Sequence, residues 1–303
     1  MKKQSQTIPI LIEVFSVDSE SQNRLDLFIC NTINFSPKDD LGSMEYPVFT
    51  LSTKRKYNVR RYERNGTFIE ITPSVLGHAT IFDNDILIYC ISQLVAGLNA
   101  GRQIGRTVRF PAFNFFANTH RDAGGKEYSL LAQSLVRLRG TTITSNLTTE
   151  DPITKEVTKL VGAGLIENFT IYKKSAETEE IGTVEITLSK WLYNAVQAKE
   201  VLTLDQKYFE LRKALERRIY LLVRKHCGNQ PSWKISLKLL LEKSGSESER
   251  REFRRMIKFI CDSDTLPGYK MNYVETEDFV LFQNRINKET VKDAITQLVL
   301  NLK

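Results

Sequence analysis

The sequence predicts an α+β protein built from two tandem winged helix-turn-helix domains, and three observations carry that prediction. Between Asp83 and Gly140 apolar residues recur at helical spacing in three successive stretches. Thr-rich and β-branched runs with turn-rich connections come next, giving helices followed by a β-ribbon. The same order returns after Asp205 without a close sequence repeat, so the duplication is architectural. A length of 303 residues, 41% hydrophobic and 26% charged, suits two core-forming units and argues against a disordered or low-complexity chain.

Residues 1–42 mix Gln, Ser, Asn and Asp with short apolar stretches and end in the breakers Ser36, Pro37 and Gly42, which predicts a loosely structured N-terminal arm. Residues 43–203 are expected to form the first winged-helix domain. It opens with the extended runs YPVFTLS and TFIEITP, and the pair Asn65-Gly66, tolerant of positive φ, predicts a hairpin turn. Residues 83–99 predict a core helix, with Asp83 and Asp85 at its N-terminus and Ile86, Tyr89, Cys90, Leu94 and Leu98 at helical intervals. A short helix over 112–118, the break Ala123-Gly124-Gly125 and a helix over 126–139 ended by Gly140 follow. TTITSNLT, LIENFTIY and TVEITLS read as strands, with Asp151-Pro152 among their connections, and SKWLYNAVQAKE as a connecting helix capped by Ser189.

Residues 204–303 are expected to form the second winged-helix domain. A long helix over 205–227 places Leu211, Leu215, Ile219 and Leu222 on one face, and a shorter one covers 235–243. A third runs over 247–261, introduced by the capping-box pattern Ser246 and Glu249. KMNYVE and DFVLFQN close the unit as two strands around the acidic turn 275–278.

Charge is unevenly distributed. The whole chain carries +7, with 43 Lys and Arg against 36 Asp and Glu, yet residues 206–258 alone hold fifteen Lys or Arg against six Glu. A polyanion is the natural partner for such a stretch. In the helix over 247–261, Phe253, Met256, Ile257 and Ile260 form an apolar stripe, and Arg250, Arg251, Arg254, Arg255 and Lys258 project from the opposite face. Four of those five cations are Arg, whose planar fork pairs bidentately with guanine or phosphate. The bland alternative is a solvated face, the usual fate of charge on an amphipathic helix. In the helix over 126–139, Leu131, Leu135 and Leu138 are the buried stripe, and Lys126, Ser129, Gln133 and Arg137 group on the other side. Gln and Arg are readers of base edges. The basic stretch 54–64, with Lys54, Arg55 and Lys56 at its start, is a candidate grip for phosphate or minor groove, or simply solubilises a hairpin.

Other chemistries fit poorly. The string Gly101-Arg-Gln-Ile-Gly105-Arg-Thr has three residues between its glycines where a phosphate loop needs four, and Arg106 stands where Lys belongs. His78, His120 and His226 are isolated from one another, so no paired metal-binding histidines stand beside a Tyr nucleophile, and His226 beside Cys227 points in a different direction on a helix. Cys30, Cys90, Cys227 and Cys261 are far apart, which predicts reduced thiols and no metal site. No cofactor, no metal and no catalytic residue is expected. The first residues lack the small-residue cleavage site of a signal peptide, and no long uncharged apolar run appears, so a cytoplasmic protein off the membrane is expected.

Four stretches carry a family resemblance: YPVFTLSTKRK, ITPSVLGHATIFDNDILIYCISQL, TLSKWLYNAVQAKEVLTLDQKYFELRKALERRIYLLVRKHCG and LLLEKSGSESERREFRRMIKFI. Together, over roughly residues 46–260, they resemble plasmid replication initiator protein A of proteobacteria. The resemblance implies an initiator that binds origin repeats in double-stranded DNA, helps open the duplex and recruits host replication machinery, the host initiator and helicase included, without cutting a strand. It also implies two winged-helix domains, and it contributes to the expectation of a homodimer through the first unit, whose 46–73 hairpin offers an edge. The first 42 residues lie outside it, and His120 stands in the loop before the first recognition helix, where a less distinctive polar residue is expected. The alternative is a winged-helix transcriptional repressor, with its own gene as a candidate target.

Overall fold

The computed structural model of the chain describes residues 26–30, 32, 35–64, 66–146, 160–175 and 181–285. In chain order the elements are β1 (Leu27–Ile29), β2 (Lys38–Asp40), α1 (Leu41–Glu45), β3 (Arg60–Arg64), β4 (Thr67–Thr72), α2 (Asn84–Asn99), β5 (Thr107–Pro111), α3 (Ala112–Asn118), α4 (Gly125–Gly140), β6 (Thr142–Ser145), β7 (Val161–Gly164), β8 (Ile166–Lys173), β9 (Ile181–Leu188), α5 (Lys190–Gln197) and β10 (Val201–Thr203). A 3₁₀ turn Gln206–Glu210 leads to α6 (Ala214–His226), β11 (Ser232–Ser236), α7 (Leu237–Ser244), α8 (Arg250–Ser263) and β12 (Tyr269–Val274). A second 3₁₀ turn, Glu275–Glu277, precedes β13 (Phe279–Asn284). The mixed α+β class expected from sequence is the one observed.

The strands form sheets ordered β1-β5-β9-β8, β3-β4-β6-β7 and β11-β13-β12, with β2 and β10 as a separate antiparallel pair. Helix α2 runs through the first half buried on nearly all sides, because ILIYCISQL offers apolar groups around most of its circumference. Its Tyr89 meets Phe110 and Phe115 in edge-on aromatic contacts.

Several elements differ from the sequence expectation, each for a local reason. Within the expected arm, β1 pairs in parallel with β5 and β2 pairs with β10, so the described part of 26–42 is built into sheets. The hairpin around Gly66 is formed by β3 and β4, with Arg64 opposite Thr67; its first strand is the basic RRYER and not YPVFTLS, whose ladder contact among the described residues is a bridge from Thr50 to Thr80. Asn65 and the Asp151-Pro152 turn lie outside the described residues. Asp205 caps the 3₁₀ turn through the Lys207 N–H, so α6 begins only at Ala214. Ile235 is in β11, and Ser236 instead caps α7 through the Leu239 N–H. The capping box does not form: the Ser246 hydroxyl accepts the Ser248 N–H, and Glu249 occupies the N-cap of α8 without a side-chain bond. Ser189 precedes α5 in an extended conformation, again with no side-chain cap.

Buried polar contacts cross the boundary expected at 203/204. Arg217 of α6 pairs with Asp85 of α2, a carboxylate that Arg121 also reaches at 2.6 Å. Arg218, fully buried, donates to the carbonyls of Ser43, Met44 and Glu45 at the end of α1 and of Lys243 at the end of α7. Glu45 in turn pairs with Lys243 and, at 3.1 Å, with Lys225. Gly245, in the left-handed conformation after α7, lies so close to Pro47 that an added Cβ would sit 2.4 Å from the Pro47 Cβ. One hydrophobic core runs through both halves.

Candidate nucleic-acid interface

Helix α8 buries Phe253, Ile257 and Ile260, and the expected cationic face is on its outside. Most of that face has partners. Arg250 pairs with Asp278, Arg255 with Glu252 one turn back at 2.6 Å, and Lys258 with Glu275 at 2.6 Å. The Nε of Arg254 donates to the Tyr273 hydroxyl at 2.9 Å, and its Nη2 lies 3.4 Å from Asp278. Arg251 is exposed and makes no ion pair among the described residues. The Tyr273 hydroxyl, bonded to Asp278 at 2.5 Å, and then Arg250 hold the Asp278 carboxyl below its ordinary range. Thus the acidic turn expected between the last two strands folds back on the helix.

Helix α4 buries Leu131, Leu135 and Leu138 as expected. Lys126 and Ser129 are exposed, and Gln133, half-buried, donates to the Ser129 hydroxyl at 3.4 Å. Arg137 corrects the expectation of an exposed reader. Its Nε and Nη2 each lie 2.7 Å from the carboxylate of Asp83, and its side chain is only 14% exposed. Asp83, buried at the start of α2, needs that cation, so Arg137 ties the end of α4 to the start of α2.

The basic stretch divides. Lys54 and Arg55 are exposed, and their side chains make no hydrogen bond or ion pair among the described residues; Lys56 pairs with Glu247, just before α8. Arg60 is buried, donating to the Val48 carbonyl at 2.6 Å, and Arg61 lies 3.8 Å over the Phe68 ring. Neither serves as a simple solvated charge.

The loop 50–56 brings these parts together. It lines a cleft of about 710 Å³ with Lys213, Arg255, Met256 and Phe259, and on its other side a cleft of about 500 Å³ with Leu130, Gln133, Arg137 and Arg121. The loop therefore stands between the α4 face and the flank of α8 that carries Arg255. Sequence reading missed Arg121, Arg212 and Arg217, which line the second cleft with Lys54 and Arg55. Arg212 lacked a signal because it follows a short 3₁₀ turn where a continuous helix was expected. His78 is in the same wall, and burial, with Arg60 nearby, lowers its pKa; its Nε2 is 2.7 Å from the Asn58 carbonyl. His120 takes a left-handed conformation (φ 53°) at the end of α3, a region where His is among the enriched residues.

The fold is similar to that in two crystal structures of domains 2 and 3 of RctB. One superposes with a TM-score of 0.59 at 13% identity, covering 78% of this chain and 94% of its own. The other has a TM-score of 0.56 at 13% identity, covering 82% and 99%. A protein of Wigglesworthia glossinidia brevipalpis described as a candidate replication protein is 36% identical over 262 residues, 86% of this chain and 94% of its own length. The family description "Replication initiator protein A" matches residues 38–271. This chain belongs to the replication initiator protein A family, and the match reaches both earlier and later than the four stretches quoted above. Among the described residues no helix is long and apolar enough to cross a membrane.

Proposed function

We propose that this chain initiates plasmid replication by binding repeated double-stranded DNA of an origin sequence-specifically, as two winged-helix units whose helices α4 and α8 face the duplex. The observation that carries this reading is the loop 50–56, which lines one cleft with α4, where it adds the exposed Lys54 and Arg55, and another with the Arg255 flank of α8. Family membership supports the initiator role. The order α3, α4, then the β6–β7 ribbon, repeated as α7, α8, then the β12–β13 hairpin, supports the winged-helix assignment. In this reading binding helps open the duplex and recruits host initiator and helicase, in the cytoplasm, without metal, cofactor or strand cleavage. A second copy pairing along the edge of β3 would form a dimer that competes with DNA-bound monomer; sedimentation with and without DNA tests it, and a single species at all concentrations would remove it.

The test is footprinting of the full chain on the DNA flanking its own gene, followed by a salt titration. Clustered protected repeats are expected, with log affinity falling about 0.9 per phosphate contacted for each unit of log salt over roughly 6 to 10 contacts. One protected palindrome over a promoter would favour the repressor instead, and affinity independent of salt would defeat the electrostatic reading.

A further inference from the structure

We propose that Asp278 and Tyr273 are specificity-determining residues that hold one edge of the Arg254 guanidinium so that its other edge meets a guanine. This rests on the reading of α8 as a DNA-facing helix. The Nε and Nη2 hydrogens on one side of a guanidinium form its side-on edge, and in Arg254 these two nitrogens engage Tyr273 and Asp278. The end-on edge, Nη1 with the second hydrogen of Nη2, makes no hydrogen bond among the described residues. Two parallel donors of that kind match O6 and N7 of guanine in the major groove. Arg254 retains 36% side-chain exposure, enough to present that edge.

The holder is itself fixed. Asp278 adopts a left-handed conformation (φ 51°), its N–H donating to the Glu275 carbonyl at 3.3 Å and its carbonyl accepting the Leu237 N–H at 2.9 Å. Its second carboxylate oxygen takes Arg250, so one acid orients two successive turns of α8. An arginine fork held before DNA arrives loses less freedom on binding. The rest of the turn points to the same division of labour. Glu275, Glu277 and Asp278 put three carboxylates at the tip of the β12–β13 hairpin, and each is paired with a cation: Lys258, Lys234 and Arg250 in turn. The tip of this hairpin therefore braces the helix beside it.

The full chain and its Asp278→Asn, Tyr273→Phe and Arg254→Ala variants are each put through selection from a pool of randomised duplexes, then titrated on the selected duplex and on poly(dA-dT), which offers no O6/N7 edge. Asn tolerates the left-handed backbone at 278, so the main chain is kept while the charge is lost. A guanine in the wild-type site is expected to lose preference about ten-fold in Asp278→Asn and in Tyr273→Phe, and altogether in Arg254→Ala. Affinity of the two turn variants for poly(dA-dT) is expected to stay level or rise. Unchanged base preference in both turn variants, with Arg254→Ala still losing it, overturns the proposal and leaves α8 as the reading helix. Equal weakening on both duplexes also overturns it. If Arg254→Ala leaves the selected site unchanged, the reading of α8 fails and the proposal with it. Should Asp278→Asn fail to fold by thermal melting, Tyr273→Phe, which leaves the carboxylate in place, decides alone.

Discussion

Arg218 satisfies carbonyls that no main-chain donor among the described residues reaches. The last carbonyls of a helix have no partner within it and carry its negative end, and a guanidinium laid across the ends of both α1 and α7 answers both needs. Burial lowers its pKa to about 10, still well above neutrality, so it stays charged. Arg218→Leu would leave these acceptors unpaired, and a loss of about 3–5 kcal/mol is expected in denaturant unfolding. Arg218→Lys keeps the charge but not the fork and should fall between. A Leu variant as stable as wild type would remove this role. Asp39 is the opposite case. Burial first, and the neighbouring Asp40 second, push its carboxyl well above 3.8, so folding retains a proton that the unfolded chain releases as pH rises past that value. Its contribution is therefore complete in acid and is lost as pH climbs toward the folded-state pKa. Asp39→Asn keeps the acceptor for the Asn84 amide and removes the titration, so unfolding free energy is expected to fall less steeply with rising pH than in wild type. Equal slopes would contradict it.

At the scale of elements, α8 was legible because its stripe of Phe253, Ile257 and Ile260 and its run of Arg sit on opposite faces of a single helix. Strand β3 was not legible, since RRYER has no apolar alternation; Arg60 is buried there by a partner twelve residues away in sequence. The face of α4 was read correctly for its leucines but not for Arg137, because nothing within the helix announces Asp83, 54 residues earlier. That pair makes a prediction. Asp83→Ala and Arg137→Ala are each expected to cost about 3–5 kcal/mol, whereas the double variant should cost much less than their sum, because neither charge is left buried alone. Additive losses in a double-mutant cycle would show that the two do not interact.

Across the whole molecule, the excess of positive charge in residues 206–258 overstates what can face DNA. Arg217 and Arg218 are counted in it yet lie in the interior, and most of the α8 cations have carboxylate partners. Composition reports charge; burial depends on groups more than a hundred residues away in the chain. The same long-range contacts cross the boundary expected at 203/204. A cut chain separates Asp85 from Arg217, α1 from Arg218, and β2 with β10 from α6. Either piece alone is expected to melt at lower temperature and with a broader transition than the intact chain, and mixing the two to restore cooperative unfolding. Full stability in both isolated pieces would show that these contacts contribute little.

The position of Arg217 and Arg218 also sets an order in time. A ribosome releases residues 26–203 before α6 exists, so Asp85 must wait for one of its two cations and α1 for the donors that close its end. Chains arrested at Thr203 are expected to stay open to protease, and protection to arrive only once α6 and α7 have left the exit tunnel. An incomplete translation product would then be cleared before it could occupy DNA with one helix alone.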